Sequence, residues 1–448
     1  MWTGKCMSYT SIIGHTGSST RHVKGIPELP NAVPFYGHLK SLGVDHASAF
    51  QDAYTKHNHE VVQAKLVTRR VLVLNSFEAA QEFIVKNASA TIDKPLFYTF
   101  HGIVSTTQCG TIGTSPWNDS TKRMRTTAGA LMRRPAIRRS ASMVDLETSV
   151  LVEDLFKATH ATGEVDPRIF FQRQALNLTL MWCYWMRIAS AEGPLPHKIL
   201  HVAHSVSSKR AQLAMNDRTT RDLWLNELFQ KASEIKPIDI FFVSGGFETL
   251  ATSGLACLGL LSTNEGQEIQ EKAYNDIITH HSSIQSAWFE CLLAEKSPYV
   301  VALVREGLRF YTPSPSSTPP NHKTIHMARI SHDAAAYGPA AHIFPPERWL
   351  EEDAVKPPYQ YSFGAGSRMC PAVGISNRIL YATYVRLIVH FRVLASEEMP
   401  PGVGFNEDPR EQPAILRRYR VKLVPRQGVE GFKECVKGSS EAMRGMYE

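Results

Sequence analysis

The stretch Phe363–Cys370 reads Phe-Gly-Ala-Gly-Ser-Arg-Met-Cys and ends a glycine-containing loop on a cysteine. Glycines at 364 and 366 permit positive φ, so that backbone N–H groups can point at the Cys370 sulfur and lower its basicity. A thiolate held in this way is a candidate metal ligand. Arg368, close before the cysteine, could bind a carboxylate with its guanidinium group. The loop therefore predicts a metal site with Cys370 as a ligand.

The residues after Cys370 show helical spacing. Between 375 and 391, apolar residues at 375, 379, 380, 384, 387, 388 and 391 recur at helical spacing, which predicts a buried helix. Its partially positive N-terminus would lie near the sulfur. A lone cysteine is more often an ordinary buried thiol, so the metal-site interpretation depends on the whole pattern.

The pattern Phe-x-x-Gly-x-Arg-x-Cys resembles the haem-binding signature of the cytochrome P450 superfamily, the haem-thiolate monooxygenases. One departure is Ala372, where that family usually has Gly. The resemblance implies haem b (iron protoporphyrin IX) as the cofactor. Cys370 would be the iron ligand, Arg368 would bind a propionate, and Phe363 would belong to the cofactor site. A thiolate on haem iron favours cleavage of the O–O bond.

A second candidate site lies in the run 241–261, which is apolar nearly all round and predicts a buried helix. Glu248 and Thr249 place a carboxylate beside a hydroxyl, and such a pair could relay protons to bound dioxygen. Gly246 removes a side chain where a flat cofactor or dioxygen could approach. In isolation, a Thr bonded to a carbonyl of its own helix would be the preferred interpretation. The resemblance of Gly-Gly-Phe-Glu-Thr to the family's oxygen-activating helix, together with Cys370, favours catalysis.

Glu306 and Arg309 share one face of a predicted helix and can form an ion pair. Most such pairs lie at the surface and contribute under about 1 kcal/mol. Residues 345–349, Pro-Pro-Glu-Arg-Trp, resemble the family's Pro-Glu-Arg-Phe/Trp element, whose Arg completes a buried Glu-Arg-Arg network that fixes the cysteine loop. The resemblance assigns that third position to Arg348.

Trp117 opens a basic stretch that includes Lys122 and Arg123 and continues to Arg139. Basic helices are often only solvated faces. In the P450 family the corresponding helix carries a Trp and basic residues that bind a haem propionate, and its outer face meets the reductase. The resemblance implies that Trp117 acts with Lys122 or Arg123. The choice stays open, because both lie further from the Trp than is common in the family.

The elements that must position these residues include a hairpin over 61–67 and 71–74, rich in β-branched residues, and a helix that follows Ser76. The run 25–36 contains several prolines and should be extended rather than helical. It resembles the hinge of microsomal haem-thiolate enzymes.

Three stretches, 25–46, 111–123 and 174–183, resemble the fungal phenylacetate hydroxylase-type branch, known for hydroxylating arylacetates, with relatives in secondary metabolism. The resemblance implies insertion of one oxygen atom from O₂ into a small aromatic, arylacetate-like or secondary-metabolite substrate. Electrons would come from NADPH through an NADPH-cytochrome P450 reductase. The implied fold is the P450 fold, mainly α with small β-sheets, in a monomer.

Composition narrows the class of protein. The 448 residues are 43% apolar and no linker divides them, so we expect one domain over 25–448 after a poorly ordered segment 1–24. The resemblance implies that this is a haem-thiolate domain. The seven cysteines form no CxxC pair, which argues against a disulfide framework or a zinc site. The net charge of +7 is dispersed, which argues against nucleic acid binding.

The first 22 residues contain no apolar run. We expect no membrane span and a cytoplasmic location, or a peripheral one at the endoplasmic reticulum.

Two intervals are shorter than the P450 family leads us to expect. No strand is visible between Arg309 and Arg348, where two or three strands of about five or six residues each would belong. The interval 189–236, where the family has two helices over the substrate pocket, is also compressed. The alternative is therefore a haem-binding protein of the same fold without turnover. A third reading, an enzyme that rearranges a peroxide without a reductase, is disfavoured by the Glu248–Thr249 pair.

Overall fold

The computed structural model of this chain describes residues 22–43, 45–67, 69–94, 112–113, 115–132, 134–184, 186–190, 243–313, 323–325, 327–350, 361–397 and 416–443. Over these residues the fold is mainly helical, with a three-stranded and a two-stranded sheet. This confirms the fold class that the sequence predicts.

The helices in chain order are α1 (Leu39–Leu42), α2 (His46–His57), α3 (Phe77–Ala80), α4 (Asp119–Leu131), α5 (Arg134–Arg139), α6 (Ala141–Thr162), α7 (Arg168–Tyr184), α8 (Val243–Ser262), α9 (Asn264–His280), α10 (Ile284–Glu290), α11 (Pro298–Phe310), α12 (Met327–Ile330), α13 (Ala334–Tyr337), α14 (Val373–His390) and α15 (Glu430–Met443). The strands are β1 (Val61–Leu66), β2 (Arg69–Leu74), β3 (Lys323–Ile325), β4 (Phe391–Ala395) and β5 (Val421–Pro425). Over the described ranges, no helix is both long and apolar enough to cross a membrane.

The hairpin predicted over 61–67 and 71–74 is confirmed. β1 and β2 pair antiparallel, with Val61 opposite Leu74. The predicted helix after Ser76 is also present: α3 begins there, and the Ser76 hydroxyl caps it by accepting a hydrogen bond from the Ala79 N–H at 3.1 Å.

A short strand corrects the expectation for the interval between Arg309 and Arg348. β3 lies parallel to β2, with Lys323 opposite Leu72. Three residues are too few to show the alternation of apolar and polar side chains by which a strand is recognised in a sequence. Residues 314–322 lie outside the described residues, as does most of the second interval, 189–236.

The proline-containing run 25–36 contains no helix, as predicted. Glu28 forms a parallel bridge with Gln63 of β1. The buried ring of His38 accepts a hydrogen bond at Nδ1 from the Lys65 N–H at 2.9 Å, so its Nε2 carries the proton and donates to the Leu29 carbonyl at 2.6 Å. The run is therefore fastened to the first sheet.

The main hydrophobic core includes residues of α6, α7, α8, α9, α11 and α14. The predicted buried run 241–261 is α8, in which Leu255, Leu258 and Leu261 are buried. The helix predicted after Cys370 is α14, and all its residues from 379 to 390 are buried. Burying one Leu side chain contributes about 1.5–3 kcal/mol. Packing in a common core thus holds both helices that the chemistry requires.

Helix α15 is fastened to the core by a buried polar network. Ser439 donates to the Asp145 carboxylate of α6 at 2.7 Å and accepts from the Trp288 indole N–H at 2.9 Å. Arg386 of α14 donates to the same Asp145 oxygen at 2.5 Å. Because buried polar groups are costly when unpaired, this network fixes how α15 lies against α6 and α14.

Candidate active site

The loop that carries Cys370 is closed by its own backbone. The Cys370 N–H donates to the Phe363 carbonyl at 2.8 Å. Gly364 and Gly366 have φ of +77° and +64°, which confirms the positive φ predicted for both. A Cβ at 366 would lie 2.9 Å from the Ile84 carbonyl oxygen, so this glycine also permits the loop to lie against the turn that follows α3.

The surroundings of the Cys370 sulfur act on its charge in two directions. Burial raises the pKa of the thiol, whereas a hydrogen bond from the Ala372 backbone N–H and the positive charge of Arg125 lower it. α14 begins at Val373, so the partially positive helix N-terminus lies beside the sulfur. A bound cation would add the charge that makes the thiolate dominant in this position.

Three cations face one another beside this loop: Lys94, Arg125 and Arg368. Burial, with repulsion from Arg368 and Arg125, lowers the pKa of Lys94 to about 8. Burial and the charge of Arg125 lower the pKa of Arg368 to about 10, although Asp93 acts in the opposite direction. A molecule that carries two carboxylates would relieve this repulsion.

Backbone carbonyls position the two arginines. Arg368 donates to Ile92 at 3.0 Å and to Ser115 at 2.8 Å. Its buried Nε has no hydrogen-bond partner in the described part of the chain. Arg125 donates to the Met369 carbonyl at 2.6 Å. A buried N–H without an acceptor is costly. A haem propionate could accept from the Arg368 Nε, and its negative charge would relieve the repulsion among the three cations.

Trp117 lies at this cation cluster. Its backbone N–H donates to the Asp93 carboxylate at 2.7 Å, and the Arg368 guanidinium carbon lies 5.6 Å from the centre of its ring. The structure therefore brings together three residues that the sequence predicts for the cofactor site: Trp117, Arg368 and the loop cysteine.

Lys122 and Arg123, the two candidates to act with Trp117, are both exposed on α4. Arg125, on the same helix, contacts the cysteine loop instead. It is flanked by the buried residues Thr121 and Ala128, which are one turn away on either side. This i, i+4, i+7 spacing was the signal that could have identified Arg125. Nothing in the sequence pattern pointed to Lys94.

Gly246, Glu248 and Thr249 lie in the first turns of α8, and the last two are half-buried. Ser253 donates to the Thr249 carbonyl at 2.9 Å. A Cβ at 246 would lie 3.2 Å from the Thr179 hydroxyl of α7, so the absent side chain of Gly246 faces α7. Its role in admitting a cofactor stays a prediction, whereas its part in packing α7 against α8 is visible.

α8 and α14 meet at Gly254. A Cβ there would lie 3.7 Å from Leu380 Cδ2 of α14, and the Tyr384 hydroxyl donates to the Gly254 carbonyl at 2.6 Å. The helix that carries Thr249 and the helix that follows Cys370 are therefore in direct contact.

Glu306 and Arg309 form a fully buried ion pair on α11. Arg309 donates to both Glu306 carboxylate oxygens, at 2.8 and 2.6 Å. Its other donors reach the carbonyls of Ser331, Ala341 and Ile343 at 2.6, 2.8 and 2.9 Å. All five N–H donors of this guanidinium are thus satisfied.

Arg348 joins the pair: its Nε lies 3.5 Å from Glu306 Oε1, and it donates to the Ala340 carbonyl at 2.6 Å. The Trp349 indole N–H donates to the other Glu306 oxygen at 2.9 Å. Ser362, at the start of the cysteine loop, donates to the Leu308 carbonyl of α11 at 2.5 Å. The structure therefore places the three predicted network residues together, and α11 contacts the loop.

Comparison with known proteins agrees with this geometry. A model of the cytochrome P450 family matches residues 27–240 and 232–406. Phenylacetate 2-hydroxylase of Emericella nidulans is 32% identical over 91% of both proteins. The 3-hydroxyphenylacetate 6-hydroxylase of the same organism is 29% identical over 89% of both. A cytochrome P450 monooxygenase of Mycosarcoma maydis is 25% identical over 90% of this chain and 87% of its own length.

The alignment with phenylacetate 2-hydroxylase also bears on length. The alignment is 477 positions long, although it contains only 91% of the 448 residues of this chain. That relative therefore has segments, within the aligned region, without a counterpart here. This agrees with the expectation that parts of the chain are shortened.

Proposed function

This chain belongs to the cytochrome P450 family of haem monooxygenases, and we propose that it hydroxylates a small aromatic substrate of the arylacetate class or a related secondary metabolite. The observation that carries the proposal is the glycine loop that closes on Cys370 beside three partly desolvated cations. The names of two relatives, which act on phenylacetates, support the substrate class. The reaction would consume O₂, NADPH and a proton, and yield the hydroxylated product, water and NADP⁺.

The proposed cofactor is haem b. When bound, it supplies the one-electron and dioxygen chemistry. Cys370 would ligate the iron, and Arg368, Arg125 and Lys94 would neutralise the propionates. Trp117 would flank Arg368. Arg125 thereby takes the role that the sequence left to Lys122 or Arg123.

Glu248 and Thr249 are proposed to deliver the protons. A carboxylate can take up protons from water, and a neighbouring hydroxyl can pass them on without carrying charge itself.

The proposed electron donor is an NADPH-cytochrome P450 reductase. Lys122, Arg123, Arg138 and Arg139 are exposed on α4 and α5, and exposed cations of this kind steer an acidic partner. A monomeric state and a cytoplasmic or endoplasmic-reticulum-peripheral location stay predictions.

Replacing Thr249 with alanine is expected to uncouple NADPH consumption from product formation. Without the hydroxyl, proton delivery would fail, and peroxide would be released in place of product. General acid–base groups contribute about 10²–10⁴-fold, so product should fall by roughly 10²-fold while NADPH oxidation continues. The measurement is the ratio of peroxide to product per NADPH. Ser262→Ala, which removes another hydroxyl bonded within α8 at 2.6 Å, is the matched control. Unchanged coupling in Thr249→Ala would refute the assignment.

Above pH 8 the titration of Lys94 is expected to weaken haem uptake as the pH rises, in opposition to the Cys370 thiol, which releases a proton when it becomes the iron ligand. Without haem, Lys94 has a pKa of about 8; two propionates would raise it, so binding takes up a proton wherever Lys94 is neutral beforehand. Such linkage weakens affinity by up to about tenfold per pH unit. In Lys94→Met this component of the slope should disappear, whereas Lys86→Met, an exposed lysine paired with Glu82, should keep it. Titrations of haem into haem-free protein at pH 7 to 10 measure the slopes, and equal slopes would contradict the placement of Lys94.

The substrate class is tested by binding spectra and turnover with phenylacetate and with the neutral phenylacetamide. We expect phenylacetate to shift the haem spectrum and to yield a hydroxylated product with reductase and NADPH. The alternative of haem binding without turnover, which the shortened segments favour, predicts a thiolate spectrum but no product with any reductase or arylacetate.

A further inference from the structure

Three helices meet at Gly254, which follows Thr249 on α8. A Cβ at 254 would lie 2.6 Å from Phe171 Cε1 of α7 and 3.7 Å from Leu380 Cδ2 of α14. Cβ atoms do not approach carbon this closely, so a side chain at 254 would require the Phe171 ring of α7 to shift. At this residue α8 therefore packs against α7 on one side and against α14 on the other.

The hydroxyl of Tyr384, on α14, reaches the backbone of α8. It donates to the Gly254 carbonyl at 2.6 Å. That carbonyl is also the regular acceptor of the Leu258 N–H within the helix, so the tyrosine adds a donor from a second helix. Tyr384 is buried, and burial raises the pKa of its hydroxyl, so the group remains a neutral donor.

A neighbouring tyrosine provides a comparison. Tyr419 donates to the Leu255 carbonyl, also at 2.6 Å. It is equally buried, but it belongs to the segment before β5 and not to α14. The two tyrosines thus donate to successive carbonyls of α8. Of the two, only Tyr384 connects α8 to α14, the helix that follows Cys370.

We infer that Tyr384 is a positioning residue for proton delivery: its hydroxyl sets where the Glu248–Thr249 segment of α8 lies relative to the Cys370 end of α14. Thr249 lies about 7.5 Å along the helix from Gly254, at 1.5 Å per residue, so a shift of α8 relative to α14 at 254 displaces it. This inference rests on the proposed function, in which Glu248 and Thr249 supply protons.

The test is Tyr384→Phe, which keeps the buried ring and removes only the hydroxyl that joins α14 to α8. We expect an unchanged thiolate spectrum with carbon monoxide and a peroxide-to-product ratio raised about fivefold, the factor that corresponds to one buried hydrogen bond. Amide hydrogen exchange over 250–258 should change in the haem-loaded protein without any turnover. Tyr419→Phe should leave the ratio as in the wild type.

Two results would overturn the inference. One is a Tyr384→Phe protein with wild-type coupling, which would make the tyrosine merely structural. The other is equal uncoupling in Tyr419→Phe, which would show that the link to α14 has no special role.

If Tyr384→Phe does not fold, Gly254→Ala should uncouple in the same way, and Phe171→Leu should rescue it by making room for the new methyl group; uncoupling without rescue would also count against the inference. A wild-type protein without a thiolate spectrum would instead refute the proposed function.

Discussion

Replacing Cys370 with alanine is expected to remove the thiolate signature from the spectrum of the reduced, carbon-monoxide-treated protein and to lower oxygenation to background. The backbone N–H of residue 370, which closes the loop on Phe363, is kept in the variant, so the loop can still form. The cations proposed for the propionates are also kept. The expected loss is therefore of the iron ligand and its electron donation, and not of the fold.

The matched control for this variant is Cys435→Ala. Cys435 is a buried thiol on α15 whose pKa is raised to about 11 by burial, which is the behaviour of an ordinary core cysteine. Its replacement should leave the carbon monoxide spectrum unchanged. A thiolate band that survives in Cys370→Ala, or that disappears in Cys435→Ala, would move the metal site to another residue.

Replacing Arg309 with methionine is expected to destabilise the protein by about 3–5 kcal/mol, the cost of removing one partner of a buried ion pair. Glu306 would remain in the core with the more distant Arg348 as its remaining cation in the network, at 3.5 Å. The carbonyls of Ser331, Ala341 and Ile343 would lose their donor as well. Because Ser362 joins α11 to the cysteine loop, haem should also dissociate faster.

Urea unfolding of the haem-loaded protein and haem transfer to an acceptor protein measure the two effects. Glu268→Gln serves as the control: it breaks an exposed i, i+4 pair with Lys272 at 2.8 Å, and such pairs contribute little. If Arg309→Met unfolds at nearly the same urea concentration as Glu268→Gln, the network does not stabilise the site.

The parts of the fold that could be predicted from the sequence are those with local causes. The periodic apolar residues of α14 and the apolar circumference of α8 each specify one buried helix. Glu306 and Arg309 are one helical turn apart, so their pairing follows from helix geometry. Glycine at 364 and 366 permits the positive φ that both residues adopt.

The remaining features arise from contacts between residues distant in the chain. Arg125 and Met369 meet across 244 positions, and Tyr384 and Gly254 across 130. No spacing rule relates residues so far apart, and Lys94 belongs to no motif that would indicate the cofactor site. The sequence therefore predicted the cysteine loop and Arg368, but it could not predict that Arg125 and Lys94 lie beside them or what positions α8.

The central claim, that the Cys370 thiolate ligates haem iron, is tested most directly by the reduced-carbon-monoxide difference spectrum of the purified, haem-supplemented protein. A thiolate-type Soret band, absent from Cys370→Ala, is the predicted result. A protein that remains colourless, or one whose band is that of a haem bound by histidine, would contradict the account.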